Sequence, residues 1–326
     1  MAQSAHSISV IIVNYRAADV VMAHLDKTLR ELDGFQSAHI FIVDNASPGD
    51  EFAELTHYVA KNNLTDRVTV VDSGGNLGFA GGNNVGFARA KARGDDFILL
   101  LNPDAYPEPG AIHRLAAFLD AAPKTAVAGA QLIDSESGEP NSCGFRFPNM
   151  ACEFLLETEM DIFYRLAGGA FAVDSKTLSG PLEVDWASGA ACMIRTEAIS
   201  GEKLMDDNFF LYFEETDMML NLRRQGWSVW IVPDAKVVHV GGVSTGVVHN
   251  EAEPPRLPGY WFESWRYYYR KNYGWAYAFG AALAKTGGVY LSRAVTSLSS
   301  RKSMKPQKYG ADVVSKCLAP LLRGAR

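Results

Sequence analysis

The sequence predicts an α/β fold with a mostly parallel central sheet and helices on both faces. Three observations carry this. Short apolar runs alternate with helix-spaced segments from Ile8 to Ala130, the pattern of strand–helix–strand units. One run, Phe97–Leu101, is apolar at every position, as expected of a strand buried on both faces. That run stops at Asn102-Pro103-Asp104. Proline ends the ladder there and leaves a carboxylate on the rim where open α/β sheets bind ligands.

The elements follow in order. Ile8–Val13 reads as the first strand. Ala17–Leu32 reads as a helix, with Val21, Leu25, Leu29 and Leu32 on one face. His39–Val43 is a second strand, closed by the turn residues of Asp44-Asn45-Ala46-Ser47-Pro48-Gly49. Glu51–Ala60 is helix and Val68–Val71 strand. The glycine-rich stretch Gly74–Asn84 reads as a loop leading into a helix over Val85–Ala92. Its glycines either let the backbone approach a ligand or partner strand closely or make a flexible surface loop. After Asp104 come a helix, Pro109–Ala121, and a strand, Ala126–Ala130. Ile133–Leu182 reads as irregular or inserted structure. Val184–Ile194 and Trp227–Val232 are further strands, with a helix over Glu215–Gln225 stopped by Gly226. Pro254, Pro255 and Pro258 break the pattern. Two helices, Tyr260–Tyr273 and Trp275–Leu298, come next, and the weak signals of Arg301–Arg326 suggest partial disorder.

With 326 residues, 48% hydrophobic and 21% charged, the chain is long enough for a large core and has a soluble globular composition. Cys143, Cys152, Cys192 and Cys317 form no CxxC pair; they resemble neither a disulfide framework nor a zinc site, which fits a reducing compartment. Met1–Ser7 lacks the features of a signal peptide, and no apolar run reaches membrane-span length. The net charge of −6 divides unevenly: 256–326 carries +11 and 1–255 carries −17. A basic end on an acidic body points to an anionic partner, a membrane surface ahead of nucleic acid, or to a solvated helical face. The organisation expected is a main domain, 1–255, and an aromatic, basic helical segment, 256–326.

Several common chemistries are excluded. Neither GxGxxG nor GxxxxGK[ST] occurs. Gly242-Val243-Ser244-Thr245-Gly246 matches GxSxG, but prolines follow it and His249 has no preceding acid in the required order, so the match is read as chance. Polar groups fall at strand ends instead. Tyr15 suits stacking on a base and Asp44 suits a base or ribose donor. Asp104 suits Mg²⁺ or Mn²⁺, and His239 suits a metal through a neutral ring nitrogen; singly, each also suits an ordinary turn or structural role. Glu214, Glu215 and Asp217 crowd one helix start. The macrodipole alone favours acids there, and burial among aromatics would also raise a general base toward its working range.

Taken in order, Ser9–Tyr15, Val43–Ser47, Asn76-Leu77-Gly78-Phe79-Ala80-Gly81-Gly82-Asn83-Asn84, Leu101–Asp104, Asp185–Ala190, Phe213–Asp217 and His239-Val240-Gly241-Gly242 resemble family 2 glycosyltransferases of the GT-A fold. The bacterial rhamnosyltransferase-like branch is the most similar, over roughly residues 8–245. The resemblance implies that Tyr15 and Asp44 hold the base, and that Asn76 and Asn83 frame nucleotide and sugar. It implies Asn102-Pro103-Asp104 as the Asp-x-Asp element, with Asp104 as metal ligand and His239 as a further metal or diphosphate contact. Glu215 matches the catalytic base, with Glu214 and Asp217 beside it. Trp186, Ser188 and Gly189 match an acceptor-side loop.

Two departures shape the expectation. Asn102 replaces the Asp of many relatives and supplies no charge. The Gln-x-x-Arg-Trp element of processive members is missing, since Arg223-Arg224-Gln225-Gly226-Trp227 has another order. The resemblance therefore implies an inverting, single-addition enzyme using Mg²⁺ or Mn²⁺ and a dTDP- or UDP-linked sugar, rhamnose being the sugar of the branch; the alternatives are a non-catalytic nucleotide-sugar or glycan-binding module and a nucleotidyltransferase. The acceptor expected is a glycan or lipid-linked glycan at the cytoplasmic membrane face, with no nucleic-acid partner. Segment 256–326 would serve as membrane contact through Trp261, Trp265, Tyr267, Tyr268, Tyr269 and Trp275, or as packing against the catalytic domain or a second subunit.

Overall fold

The computed structural model describes residues 4–163, 173–174, 178–240, 254–298 and 305–324. Gly241, Gly242, the GxSxG match and His249 lie outside them. The chain divides into two compact units.

The first unit comprises residues 1–145, 173–210 and 214–246. Its chain order begins β1 (Ser4–Asn14), α1 (Ala18–Glu31), β2 (Phe35–Asp44), α2 (Glu51–Lys61), β3 (Val68–Asp72), α3 (Gly78–Arg93) and β4 (Phe97–Leu101). It continues with β5 (Ala105–Pro107), α4 (Ala111–Ala121), β6 (Thr125–Asp134) and β7 (Gly144–Phe145). The large sheet runs β3-β2-β1-β4-β10-β6-β11-β5, where β10 is Ala191–Arg195 and β11 is Ser228–His239. Pairing is parallel from β3 to β4, as the alternation predicts. Beyond β4 it is mixed, because β10 lies antiparallel to both β4 and β6. Residues 97–101 are buried throughout.

Three expectations change. The single strand over Val184–Ile194 is three pieces, β8 (Leu182–Val184), β9 (Trp186–Ala187) and β10, interrupted by the turn at Ser188–Ala190. The strand ending at Val232 continues through an irregularity between Val232 and Lys236 to His239; Pro233 breaks the ladder without ending the strand. The glycine-rich loop is largely helix, since α3 starts at Gly78. Glycine disfavours helix, but here it lets α3 close on β1: a Cβ at Gly82 would meet Val13 Cγ1 at 2.7 Å.

The second unit comprises residues 146–172, 211–213 and 247–326. It contains α5 (Met150–Glu157), α7 (Gly259–Tyr273) and α8 (Trp275–Ser297); α6 (Glu214–Arg224) belongs to the first unit. The helical segments Tyr309–Asp312, Val313–Leu318 and Ala319–Leu322 then follow without a break. Order there replaces the expected weak structure, because Val313, Cys317 and Leu321 are buried.

The interior of this unit is ionic and aromatic. Lys285 donates to Glu153 Oε2 (3.0 Å) and to Glu157 Oε1 (2.5 Å). Trp265 Nε1 and Tyr269 Oη donate to Glu153 Oε1 at 2.9 and 2.7 Å, and Tyr309 Oη donates to Glu157. Trp265, Tyr268 and Tyr269 are fully buried. These rings, expected at a lipid headgroup layer, instead surround buried charge, because each Glu153 and Glu157 oxygen needs a donor once water is excluded. Among the described residues no helix is long and apolar enough to cross a membrane.

Candidate active site

The rim of the first unit's sheet begins at the ends of β1 and β2. Asp44 is buried and already engaged: Oδ1 accepts from Asn14 Nδ2 at 2.9 Å and Oδ2 from the Ser47 amide at 3.2 Å. Glu51 Oε2 accepts from Asn14 Nδ2 (2.9 Å) and from the amides of Ala17 and Ala18, closing the start of α1. Tyr15 is half-buried, with the Arg16 guanidinium 5.3 Å from its ring centroid. The strand end is thus rigid, and Asp44 presents a fixed acceptor.

Asn45 joins this edge to the start of α3, a role that sequence reasoning missed. Its Nδ2 donates to Asn76 Oδ1 (3.2 Å) and Gly78 O (3.0 Å), and its Oδ1 accepts from the Leu77 amide at 3.0 Å. The signal was a turn residue directly after Asp44, indistinguishable from any Asx turn. Asn76 is exposed at this edge. Asn83 lies elsewhere: it is buried inside α3 and donates to Phe79 O at 2.9 Å.

At the end of β4 the Asn102 amide donates to Ala190 O at 2.9 Å, carrying the ladder one step into the turn. Asp104 precedes β5, whose Ala105 is the register partner of His239. The pairing puts His239 Nε2 3.2 Å from Asp104 Oδ1 and 3.2 Å from Asn102 Nδ2. Asp104 is buried and His239 partly open. The hard carboxylate oxygen suits Mg²⁺ or Mn²⁺ completed by water and phosphate oxygens, and the imidazole nitrogen beside it favours the transition metal of the two. Among the described residues no three His, Cys, Asp or Glu side chains converge on one point, so protein ligands alone would not fill a shell.

The turn before β10 carries the acceptor-side residues. Trp186 stacks on Phe145 with centroids 4.3 Å apart. Ser188 Oγ accepts from the Ala190 amide at 3.3 Å, and the Ser188 amide donates to Cys143 O at 2.9 Å. Gly189 faces α6: a Cβ there would lie 3.8 Å from Glu215 Cβ and 3.2 Å from Phe79 Cε1. Backbone contacts thus fix this turn, and the missing side chain lets it pack closely against Phe79 and Glu215.

Glu215 is the second residue of α6. It is half-buried, and its enclosed Oε2 has no hydrogen-bond partner among the described residues. Burial raises its carboxyl above the ordinary range; amides of Glu215, Gly189 and Thr216 oppose the rise. Glu214 and Asp217 are buried, and Asp217 Oδ2 accepts from Asn221 Nδ2 at 3.3 Å, one turn along α6. Consecutive contacts therefore run from Asn45 through Gly78, Phe79 and Gly189 to Glu215, and from Ala190 through Asn102 to His239 and Asp104. A metal-type donor pair and a carboxyl of raised proton affinity share one edge of one sheet.

A GT-A sheet with that edge is the architecture of sugar-transferring enzymes, and residues 9–163 match the family model described as Glycosyl transferase family 2. By that match and by its relatives the chain is a glycosyltransferase, similar to rhamnosyltransferases. It is 27% identical over 238 residues to the N-acetylglucosaminyl-diphospho-decaprenol L-rhamnosyltransferase of Mycobacterium tuberculosis, covering 68% of this chain and 74% of that protein. It is 23% identical over 238 residues to the dTDP-rhamnosyl transferase RfbF of Shigella flexneri, covering 72% and 70%. Among solved structures, the Pyrobaculum calidifontis mannosyltransferase in complex with GDP-Man and Mn²⁺ superposes with TM-score 0.54 at 16% identity, over 98% of this chain and 83% of that one. Staphylococcus aureus TarS 1–349 gives TM-score 0.54 at 15% identity, over 97% and 82%.

Proposed function

We propose that this glycosyltransferase makes single, inverting additions from a nucleotide-diphosphate sugar to a hydroxyl of a glycan or lipid-linked glycan. The observation that carries the reading is Glu215: a half-buried carboxyl with one enclosed oxygen and raised proton affinity, packed beside the Gly189 backbone. Such a group takes a proton from an acceptor hydroxyl as that oxygen attacks the anomeric carbon from the face opposite the departing diphosphate. One displacement inverts the centre. Glu214 and Asp217 act as buried neighbours that keep the helix start acidic.

On the donor side, Tyr15 offers a ring to the base and Asp44 an acceptor to base or ribose, with Asn76 at the same edge. Asn102 and Asp104 face the diphosphate, and Asp104 with His239 would hold Mg²⁺ or Mn²⁺. When bound, the cation offsets charge on the leaving diphosphate. Trp186, Ser188 and Gly189 form the acceptor side. Asn83, enclosed in α3, supports the Phe79 backbone rather than touching sugar.

The relatives' names favour rhamnose from a dTDP donor and a polyprenol-diphosphate acceptor, used at the cytoplasmic membrane face. A thermal-shift panel of nucleotide sugars with and without Mn²⁺ tests this. Stabilisation by one sugar nucleotide, dependent on the cation, together with slow release of nucleoside diphosphate, is expected. Pyrophosphate release from a nucleoside triphosphate would overturn the reading.

A further inference from the structure

Helix α8 shows one side that none of the described residues of its own unit covers. Its inward positions Ala278, Ala281, Ala282, Lys285, Val289 and Ser292 are buried. Its outward positions Ala276, Leu283, Gly287, Tyr290, Ala294 and, just past its end, Leu298 are exposed. Their spacing of three, four or seven residues puts all six on one face. Leu283 is 48% exposed, Tyr290 49% and Leu298 90%. The stripe follows a helix of 23 residues, about 35 Å long. An apolar strip of that extent marks an interaction surface.

Charge identifies the occupant. α8 contains no Asp or Glu. Arg293 borders the strip, its guanidinium 5.7 Å from the Tyr290 ring centroid. At the other end, half-exposed Trp275 starts α8 directly after the Arg270-Lys271 end of α7. Residues 256–326 hold thirteen Lys and Arg against Glu263 and Asp312, and Asp312 is held by Arg256 (2.7 Å) and Lys316 (3.3 Å). The whole unit, which adds Arg146, Arg165 and six further acids, is still +7, so a second copy would repel this one, whereas anionic lipid would attract it. A Trp and a Tyr beside an apolar strip match the interfacial layer of a bilayer.

We propose that α8 lies along an anionic bilayer surface, with Leu283, Tyr290, Ala294 and Leu298 entering the boundary between headgroups and acyl chains. The helix does not cross the membrane. The rings once expected to make this contact, Trp265, Tyr268 and Tyr269, are interior. The proposal stands apart from the identity of donor or acceptor, because its readout is lipid binding rather than sugar transfer.

The test is co-sedimentation of the full chain with phosphatidylcholine vesicles, with and without phosphatidylglycerol, comparing wild type and the Leu283→Glu/Tyr290→Glu double variant. Wild type is expected to pellet with anionic vesicles and to be released by salt. The variant is expected to bind about tenfold or more weakly, with unchanged melting temperature. As a second measurement, Ala294→Cys is labelled with a polarity-sensitive dye, which the four buried native cysteines do not compete for; its emission is expected to shift to the blue on anionic vesicles. Equal pelleting of variant and wild type would overturn the proposal, as would a label that reports no vesicle. A wild-type dimer that ignores vesicles and is split by the double substitution would assign the strip to a second copy instead.

Discussion

His239 Nε2 stands 3.2 Å from Asp104 Oδ1 because Ala105 and His239 are register partners between β5 and β11. The contact depends on β11 continuing past its irregularity at Pro233, which carries His239 to the rim. In the proposed role each of the two supplies one protein ligand to the cation. Asp104→Ala and His239→Ala are each expected to weaken Mn²⁺-dependent donor binding by about tenfold or more, measured by calorimetry with and without the cation. Unchanged cation-dependent affinity in both variants would remove the pair from this role.

Gly189 sets the space beside Glu215. A Cβ there would sit 3.2 Å from Phe79 Cε1, tight enough to displace that ring. Gly189→Ala is expected to lower kcat by up to ~10²-fold, the scale of a small misplacement near reacting atoms, with donor KM little changed. Steady-state kinetics with donor and acceptor varied separately read this. A change confined to donor KM would place Gly189 on the other side of the reaction.

The raised proton affinity of Glu215 links to stability. Its folded value lies above that of the unfolded chain, so folding takes up a proton between the two. The stability it contributes is complete below the unfolded value and is lost as pH rises through the folded one. Glu215→Gln is therefore expected to melt above wild type at neutral pH, with the gap closing in acid. Melting temperature followed against pH checks this; a constant gap would mean that Glu215 does not titrate in that window.

In the helical unit, Lys285 is the counter-ion of two buried carboxylates. Burial pushes Glu157 up, but Lys285 and Lys305 more than offset it and hold the carboxyl below its usual range. Lys285→Met leaves Glu153 and Glu157 without that charge, and a loss of ~3–5 kcal/mol is expected. Urea unfolding measures it, and the double variant with Glu157→Gln should recover part of the loss.

The elements that local pattern announces were legible in the sequence: Phe97–Leu101 as a doubly buried strand, Asp104 after its proline, and the acids opening α6. What failed depended on distant partners. Gly78–Asn84 reads as loop until β1 is there to receive the glycines of α3. The strand over Trp227–Val232 reads as ending there because the continuation of β11 past Pro233 is held by β6 and β5. Trp265 and Tyr269 read as interfacial because Glu153, the acceptor that lets them be buried, is far away in sequence. Asn45 passed for a turn residue because its three hydrogen bonds go to 76–78.

The most direct measurement is single-turnover sugar transfer by Glu215→Gln at saturating donor and acceptor. Loss of a general base is expected to slow transfer by ~10²–10⁴-fold, while cation-dependent donor binding stays close to wild type. Transfer at the wild-type rate would contradict the assignment of Glu215 as the base.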